Sequence, residues 1–300
     1  MTGLPWYNRG NARRDLGNLA GAQSDYDEAI RLDPAHAPAY ANRGSLRARR
    51  GDLRAALADL NEALRLKPDL GPALTARAQV FLSLGAFAEC VADYDELVRL
   101  GIASADPVSN RGLAKEGLRD FDGAIADHTE ALRMDPSYAE ALVNRATARE
   151  AKGDRGDRIH DDPEGAIEDL TQALAINPRW PEARINRGIA HQNLRRWKEA
   201  FDDLTEGLRL NPDFGNAWYQ RGRVRVETGD IDAAIADFTE AVTRWPRYAN
   251  AFLARGGARE RKGDAAGAAG DYRKALEVAP QNWWAREEAE KALRRLADSP

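Results

Sequence analysis

The sequence predicts an all-α solenoid of antiparallel helix pairs, and three observations carry that expectation. A short pattern recurs every thirty-four residues, as Asn8-Arg9-Gly10, Asn42-Arg43-Gly44, Ala76-Arg77-Ala78, Asn110-Arg111-Gly112 and Asn144-Arg145-Ala146. Each period holds two stretches of helical apolar spacing split by a turn, typically glycine then aspartate, as in Gly51-Asp52, Gly229-Asp230 and Gly263-Asp264. A proline closes nearly every period, at Pro34, Pro68, Pro136, Pro178, Pro212, Pro246 and Pro280. Because stacked repeats touch only their neighbours, 300 residues need not divide into separate globular domains.

Taken in order, eight repeats span about 3–36, 37–70, 71–104, 105–138, 139–180, 181–214, 215–248 and 249–280. Glycine tolerates the left-handed backbone that ends the first helix of a repeat, aspartate caps the second, and proline stops it by removing a donor. The third repeat departs, ending in Leu100-Gly101-Ile102. The fifth carries eight extra residues, since Asn186-Arg187-Gly188 arrives late by that number before Gln220-Arg221-Gly222 and Ala254-Arg255-Gly256 resume the period. The insertion from Asp154 to Glu164 gathers acids around His160 and contains Arg155-Gly156-Asp157. A hydrated loop is expected there in preference to a metal site or an adhesion motif. Residues 281–300 read as a closing amphipathic helix and tail. Its charged face is Arg286, Glu287, Glu288, Glu290, Lys291, Arg294 and Arg295, and Trp284, Ala289 and Leu293 form the packed side.

These small and large positions resemble the tetratricopeptide repeat family over residues 3–280. The second repeat supplies Tyr40, Gly44, Ala56, Leu60, Ala63 and Pro68; the seventh supplies Trp218, Gly222, Ala234, Phe238, Ala241 and Pro246. Small residues let helix backbones approach, and the large residue fills the gap beside them. Cys90 falls at a small site and His128 at the large one, so both are expected in the core. The resemblance implies a right-handed superhelix whose inner face is lined by the first helix of each repeat, with a protein or peptide partner, no cofactor and no catalysis. The closing segment is similar to the solvating helix that caps such arrays. No comparable cap precedes the first repeat, so Trp6 is expected near an open end through which the chain could self-associate or join a longer one.

One position departs from the family in every repeat, with arginine where an apolar residue is usual: Arg9, Arg43, Arg77, Arg111, Arg145, Arg187, Arg221 and Arg255. The second helix answers with Asp25, Asp59, Asp93, Asp127, Asp169, Asp203, Asp237 and Asp271, sixteen residues on, or twenty-four across the insertion. The closing helix has Ala289 at that place and no second helix behind it. Arginine and aspartate appear and vanish together, which predicts a structural ion pair within each repeat and argues against an anion-binding track. Pairing between repeats would leave Arg9 and Asp271 unpartnered.

On the inner face the resemblance places Asn8, Asn42, Asn110, Asn144 and Asn186, with Gln220 as a near-equivalent and Ala76 and Ala254 as interruptions. Carboxamides can bond both the N–H and the C=O of an extended peptide, and the row is similar to the asparagine ladder of the O-GlcNAc transferase repeats. The competing reading is a polar helix face satisfied by neighbouring groups. Leu113, Val143, Ile185 and Ile189 are expected to form an apolar floor, accompanied by Asp106, Glu116, Glu140, Glu150 and Glu182, which suits a basic and apolar segment; packing between helices is the alternative. A dicarboxylate clamp is not expected. Asn11 and Asn42 match two of its asparagines, but Tyr7, Pro72 and Ala76 stand where it needs cations.

With 44 basic against 48 acidic residues, evenly spread, the chain carries −4 and no field that would condense it onto nucleic acid or an anionic membrane. No apolar run is long enough to cross a bilayer, and the N-terminus lacks a secretory signature. A cytoplasmic setting is the default expectation, and a lone cysteine, which cannot form an intrachain disulfide, agrees with it. His36, His128, His160 and His191 fall in different repeats, without the spacing of metal ligands. No nucleophile elbow, phosphate loop or dinucleotide motif occurs. The expected function is a noncatalytic scaffold binding a partner's segment in the groove. Two readings stand beside it, a regulatory or substrate-recruiting arm of a larger enzyme and a self-assembling solenoid.

Overall fold

The computed structural model describes residues 3–153 and 162–297. The expectations for Arg155-Gly156-Asp157 and His160 lie outside them. Among the described residues every regular element is an α-helix. The chain divides into two compact units, Met1–Lys152 and Gly153–Pro300. The first holds α1 (Leu4–Asp15), α2 (Leu19–Leu32), α3 (Ala37–Arg49), α4 (Leu53–Leu66), α5 (Gly71–Leu84), α6 (Phe87–Arg99), α7 (Ala105–Gly117), α8 (Phe121–Met134) and α9 (Ala139–Gly153). The second holds α10 (Pro163–Ile176), α11 (Pro181–Asn193), α12 (Trp197–Leu210), α13 (Gly215–Glu227), α14 (Ile231–Arg244), α15 (Ala249–Arg261), α16 (Ala265–Val278) and α17 (Arg286–Ala297). Within a unit, an odd-numbered helix packs on the even-numbered helix that follows it, and neighbouring odd-numbered helices touch, as α3 with α5 and α13 with α15.

The local chemistry explains the boundaries. Gly51 adopts φ 85°, which ends α3, and the Asp52 carboxylate accepts from the Ala55 N–H at 3.2 Å to open α4. Asn18, Asp120, Asp162, Asp230 and Asp264 cap their helices in the same way. Arg119 and Arg195 take the left-handed place that glycine fills elsewhere, at φ 62° and 56°. At the other end, Lys67 sits at φ −142°, ψ 92°, the extended backbone that a residue before proline prefers.

The core is a series of large side chains from even helices seated on small residues of odd ones. Phe238 is fully buried, and a Cβ added to Gly222 would stand 2.6 Å from its ring. At α17 the structure corrects the sequence expectation. The helix starts at Arg286, and the turn before it puts Trp283 inward, where its Nε1 donates to Asn250 Oδ1 at 2.7 Å. Trp284, expected on the packed side, is 74% exposed, whereas Ala289 is buried and Leu293 packs beside Tyr272 and Ala292. A buried indole needs a partner for its N–H, and Asn250 provides one at Trp283. Among the described residues, no helix is long and apolar enough to cross a membrane.

Candidate functional site

The arginines of the odd helices pair with aspartates of the even helices that follow them. Arg43 donates from Nε and Nη2 to the two Asp59 oxygens at 2.8 and 2.6 Å. Arg9 with Asp25, Arg77 with Asp93, Arg111 with Asp127, Arg187 with Asp203, Arg221 with Asp237 and Arg255 with Asp271 share this bidentate geometry. Arg145 and Asp169 belong to different units; Asp169 is buried.

A third bond was missed from the sequence. The remaining Nη1 reaches back to the preceding repeat: from Arg43 to Asp27, Arg77 to Asn61, Arg111 to Asp95, Arg145 to Thr129, Arg187 to Thr171, Arg221 to Thr205 and Arg255 to Thr239. Confining the arginine to its own repeat was therefore incomplete. The carboxylate accepts two of the guanidinium's donors, and the third joins neighbouring repeats. Several aspartates gain a second cation, with Arg13, Arg47, Lys115, Arg225 and Arg259 at 2.8–2.9 Å from Asp25, Asp59, Asp127, Asp237 and Asp271. An aromatic ring one turn earlier covers some guanidiniums, as Trp218 covers Arg221 at 4.8 Å. With its donors used in this way, the arginine row is part of the packing.

The carboxamide row is uneven. Asn42 donates to Asn11 Oδ1 at 2.7 Å and to the Tyr7 hydroxyl at 3.3 Å, while the Tyr26 hydroxyl donates to the same Asn11 oxygen. Asn110 donates to Asp106, whose other oxygen accepts from the Tyr138 hydroxyl at 2.9 Å. Burial, and then Asp106, push that hydroxyl above its usual range, so it remains a donor. Gln220 Oε1 accepts from Arg223. Asn8 is exposed, and Asn144 and Asn186 are half-buried.

The apolar floor does not form as expected. Leu113 and Ile189 are half-buried, but Val143 is 9% and Ile185 2% exposed. Ile185 packs among Ala200, Leu204 and Leu208, and a Cβ on Gly207 would stand 2.7 Å from it. The stripe just before the asparagine faces neighbouring helices instead of solvent.

His128 is fully buried between Ser109 Oγ at 3.0 Å from Nδ1 and Glu116 Oε1 at 3.0 Å from Nε2. Ser109 is itself buried, so no substrate reaches its hydroxyl, and the three residues act as a satisfied core network. Cys90 is buried, and desolvation pushes its thiol up to about 12, which keeps it protonated.

In the C-terminal unit α13, α15 and α17, with the end of α11, surround an open cavity of about 1020 Å³. Trp197, Tyr219, Val226, Leu253 and Trp284 give it apolar walls. Arg195, Arg223, Glu227, Arg261, Glu287, Glu288, Lys291 and Arg295 carry its charge. Sequence reasoning looked for a recognition surface in the fourth to sixth repeats and missed this cavity. The available signals were an extra glycine at Gly257 and a tryptophan, Trp284, beside the already packed Trp283.

A sequence profile described as tetratricopeptide repeat matches residues 7–71, 109–155 and 219–282, together more than half of the chain. The chain belongs to the tetratricopeptide repeat family. Among solved structures, this TPR chain is similar to the C-terminal part of a TPR repeat-containing protein from Cytophaga hutchinsonii, at 13% identity over 84% of this chain and 99% of that one, with TM-score 0.61. It is also similar to YrrB, described as a TPR protein with an unusual peptide-binding site, at 19% identity over 64% and 95% of the chains, with TM-score 0.54. A thermophilic TPR protein in Thermus thermophilus matches at 23% identity over 64% and 100%, with TM-score 0.51. At these identities the likeness shows the helical-repeat solenoid fold. No curated protein matches the chain.

Proposed function

We propose that this TPR chain is a noncatalytic protein-interaction scaffold that holds a partner's peptide segment along the face of its odd-numbered helices. The cavity in the C-terminal unit carries this reading. It is open, its lining is mostly polar and charged with apolar side chains set among the charges, and Trp284 stands in it at 74% exposure, where the fold has no packing use for it. In the C-terminal unit Asn186 remains as a carboxamide for an extended backbone, since Gln220 already bonds its neighbour. The acidic lining expected to favour a basic segment is reduced, because Asp106 bonds Tyr138 and Glu116 bonds His128.

The test is selection of ten-residue peptides from a displayed library on the full chain, followed by affinity measurements on variants. Trp284→Ala is expected to weaken the selected peptides about tenfold, equivalent to roughly 1.4 kcal/mol. Arg209→Ala, an exposed position at the far end of α12 that does not line the cavity, should leave them unchanged. Binding by Trp284→Ala and by Asn186→Ala equal to that of the wild type would remove the groove as the recognition surface.

A further inference from the structure

Gly257 is a lining residue whose identity the packing does not demand. Its neighbour Gly256 is forced, because a Cβ there would stand 2.6 Å from the Tyr272 ring. A Cβ on Gly257 would meet only the Tyr272 hydroxyl, at an ordinary 3.8 Å. Glycine in the interior of a helix weakens it relative to alanine, so the fold alone gives no reason for the residue. Its effect is a bare patch on the cavity floor, midway along α15.

The repeat register says what surrounds that patch. Arg223 on α13 and Lys291 on α17 stand thirty-four residues to either side of Gly257, so the same row reads cation, bare backbone, cation. Arg261 lies one helical turn further along α15 and also lines the cavity. Lys291 is held by Glu287 at 2.7 Å and Arg223 gives one donor to Gln220, but Arg261 has no ion pair among the described residues. Two lining acids have no ion pair among the described residues: Glu288 shares a register row with Ala254, and Glu227 stands one repeat before Arg261 without pairing with it, so the row of Arg223 and Lys291 carries no acid. Tyr219, Leu253 and Trp284 supply apolar surface next to the patch. Gln192 adds a further observation. It is 6% exposed, lines the cavity, and its Oε1 has no hydrogen-bond partner. A buried acceptor without a donor fits a ligand that brings an N–H, which a peptide backbone does and an inorganic anion does not.

We propose that this floor at Gly257 takes an extended peptide segment that presents an acidic side chain next to an aromatic or aliphatic one. The carboxylate meets Arg223 and Arg261, the apolar side chain lies on Tyr219, Leu253 and Trp284, and a backbone N–H donates to Gln192. The proposal rests on the groove reading above and adds the chemistry of the partner.

The experiment is isothermal titration of the full chain with three ten-residue peptides in which a central phenylalanine is flanked by aspartate, by serine or by lysine. The aspartate peptide is expected to bind about tenfold more tightly than the serine one and the lysine peptide more weakly still. Gly257→Leu should abolish binding while leaving the thermal midpoint at or above that of the wild type, and Arg223→Glu/Arg261→Glu should reverse the order of the peptides. A lysine peptide that binds best, and loses binding in Gly257→Leu, overturns the acidic assignment and leaves the groove reading standing. An aspartate peptide indifferent to Gly257→Leu, or no binding by any of the three, overturns the site itself.

Discussion

Asp127 is reached by two N–H groups of Arg111 and by Lys115 at 2.8 Å, in surroundings that leave both partners mostly buried. Removing one partner leaves a charge with poor solvation, so Arg111→Ala and Asp127→Ala should each cost on the order of 3 kcal/mol. In a double-mutant cycle followed by urea unfolding, their losses should fall short of additivity by about 1–3 kcal/mol. Strict additivity would mean that the two do not interact. The arginine–aspartate co-occurrence was legible because both residue types recur at fixed spacing. The backward bond from Nη1 was not, because its acceptors change from aspartate and asparagine to threonine along the chain. Cys90 gives a second test at this scale. With its thiol pushed up to about 12 by burial, little thiolate exists at pH 8. Alkylation by iodoacetamide, read by mass spectrometry, should be at least about 100-fold slower in the native chain than in urea. Equal rates would contradict the burial.

Helix boundaries were the most legible feature of the elements, since glycine, aspartate and proline mark each turn by a local mechanism. The direction of individual apolar side chains was less so. Val143 and Ile185 sit where helical spacing allows either the groove or the neighbouring helix, and only the packed structure separates the two. The start of α17 was misplaced for a related reason, because two adjacent tryptophans satisfy the same pattern and only the bond from Trp283 to Asn250 selects one. The paired glycines of α15 test the packing rule directly. Gly256→Ala forces a methyl against Tyr272 and should destabilise by about 1–3 kcal/mol. Gly257→Ala meets no obstacle and should stabilise by roughly 0.5–1 kcal/mol. Equal unfolding midpoints for the two variants would contradict the difference in their surroundings.

At the scale of the molecule, the thirty-four-residue period alone dictates the architecture, because each repeat must stack on another to bury its apolar face. The recognition surface was only partly legible. The asparagines of the repeated triplet are in part committed to Asn11, Tyr7 and Asp106, while the cavity of the C-terminal unit depends on a missing side chain at Gly257 and an outward tryptophan, neither of which stands out in a repeat pattern. The most direct measurement is photo-crosslinking of a selected peptide carrying one benzoylphenylalanine, with the attachment points on the full chain read by mass spectrometry. Adducts should fall on α13, α15 and the turn before α17, at Tyr219, Leu253 and Trp284 among others. Adducts confined to the outward faces of α12, α14 and α16 would contradict the claim that the odd-numbered helices hold the partner.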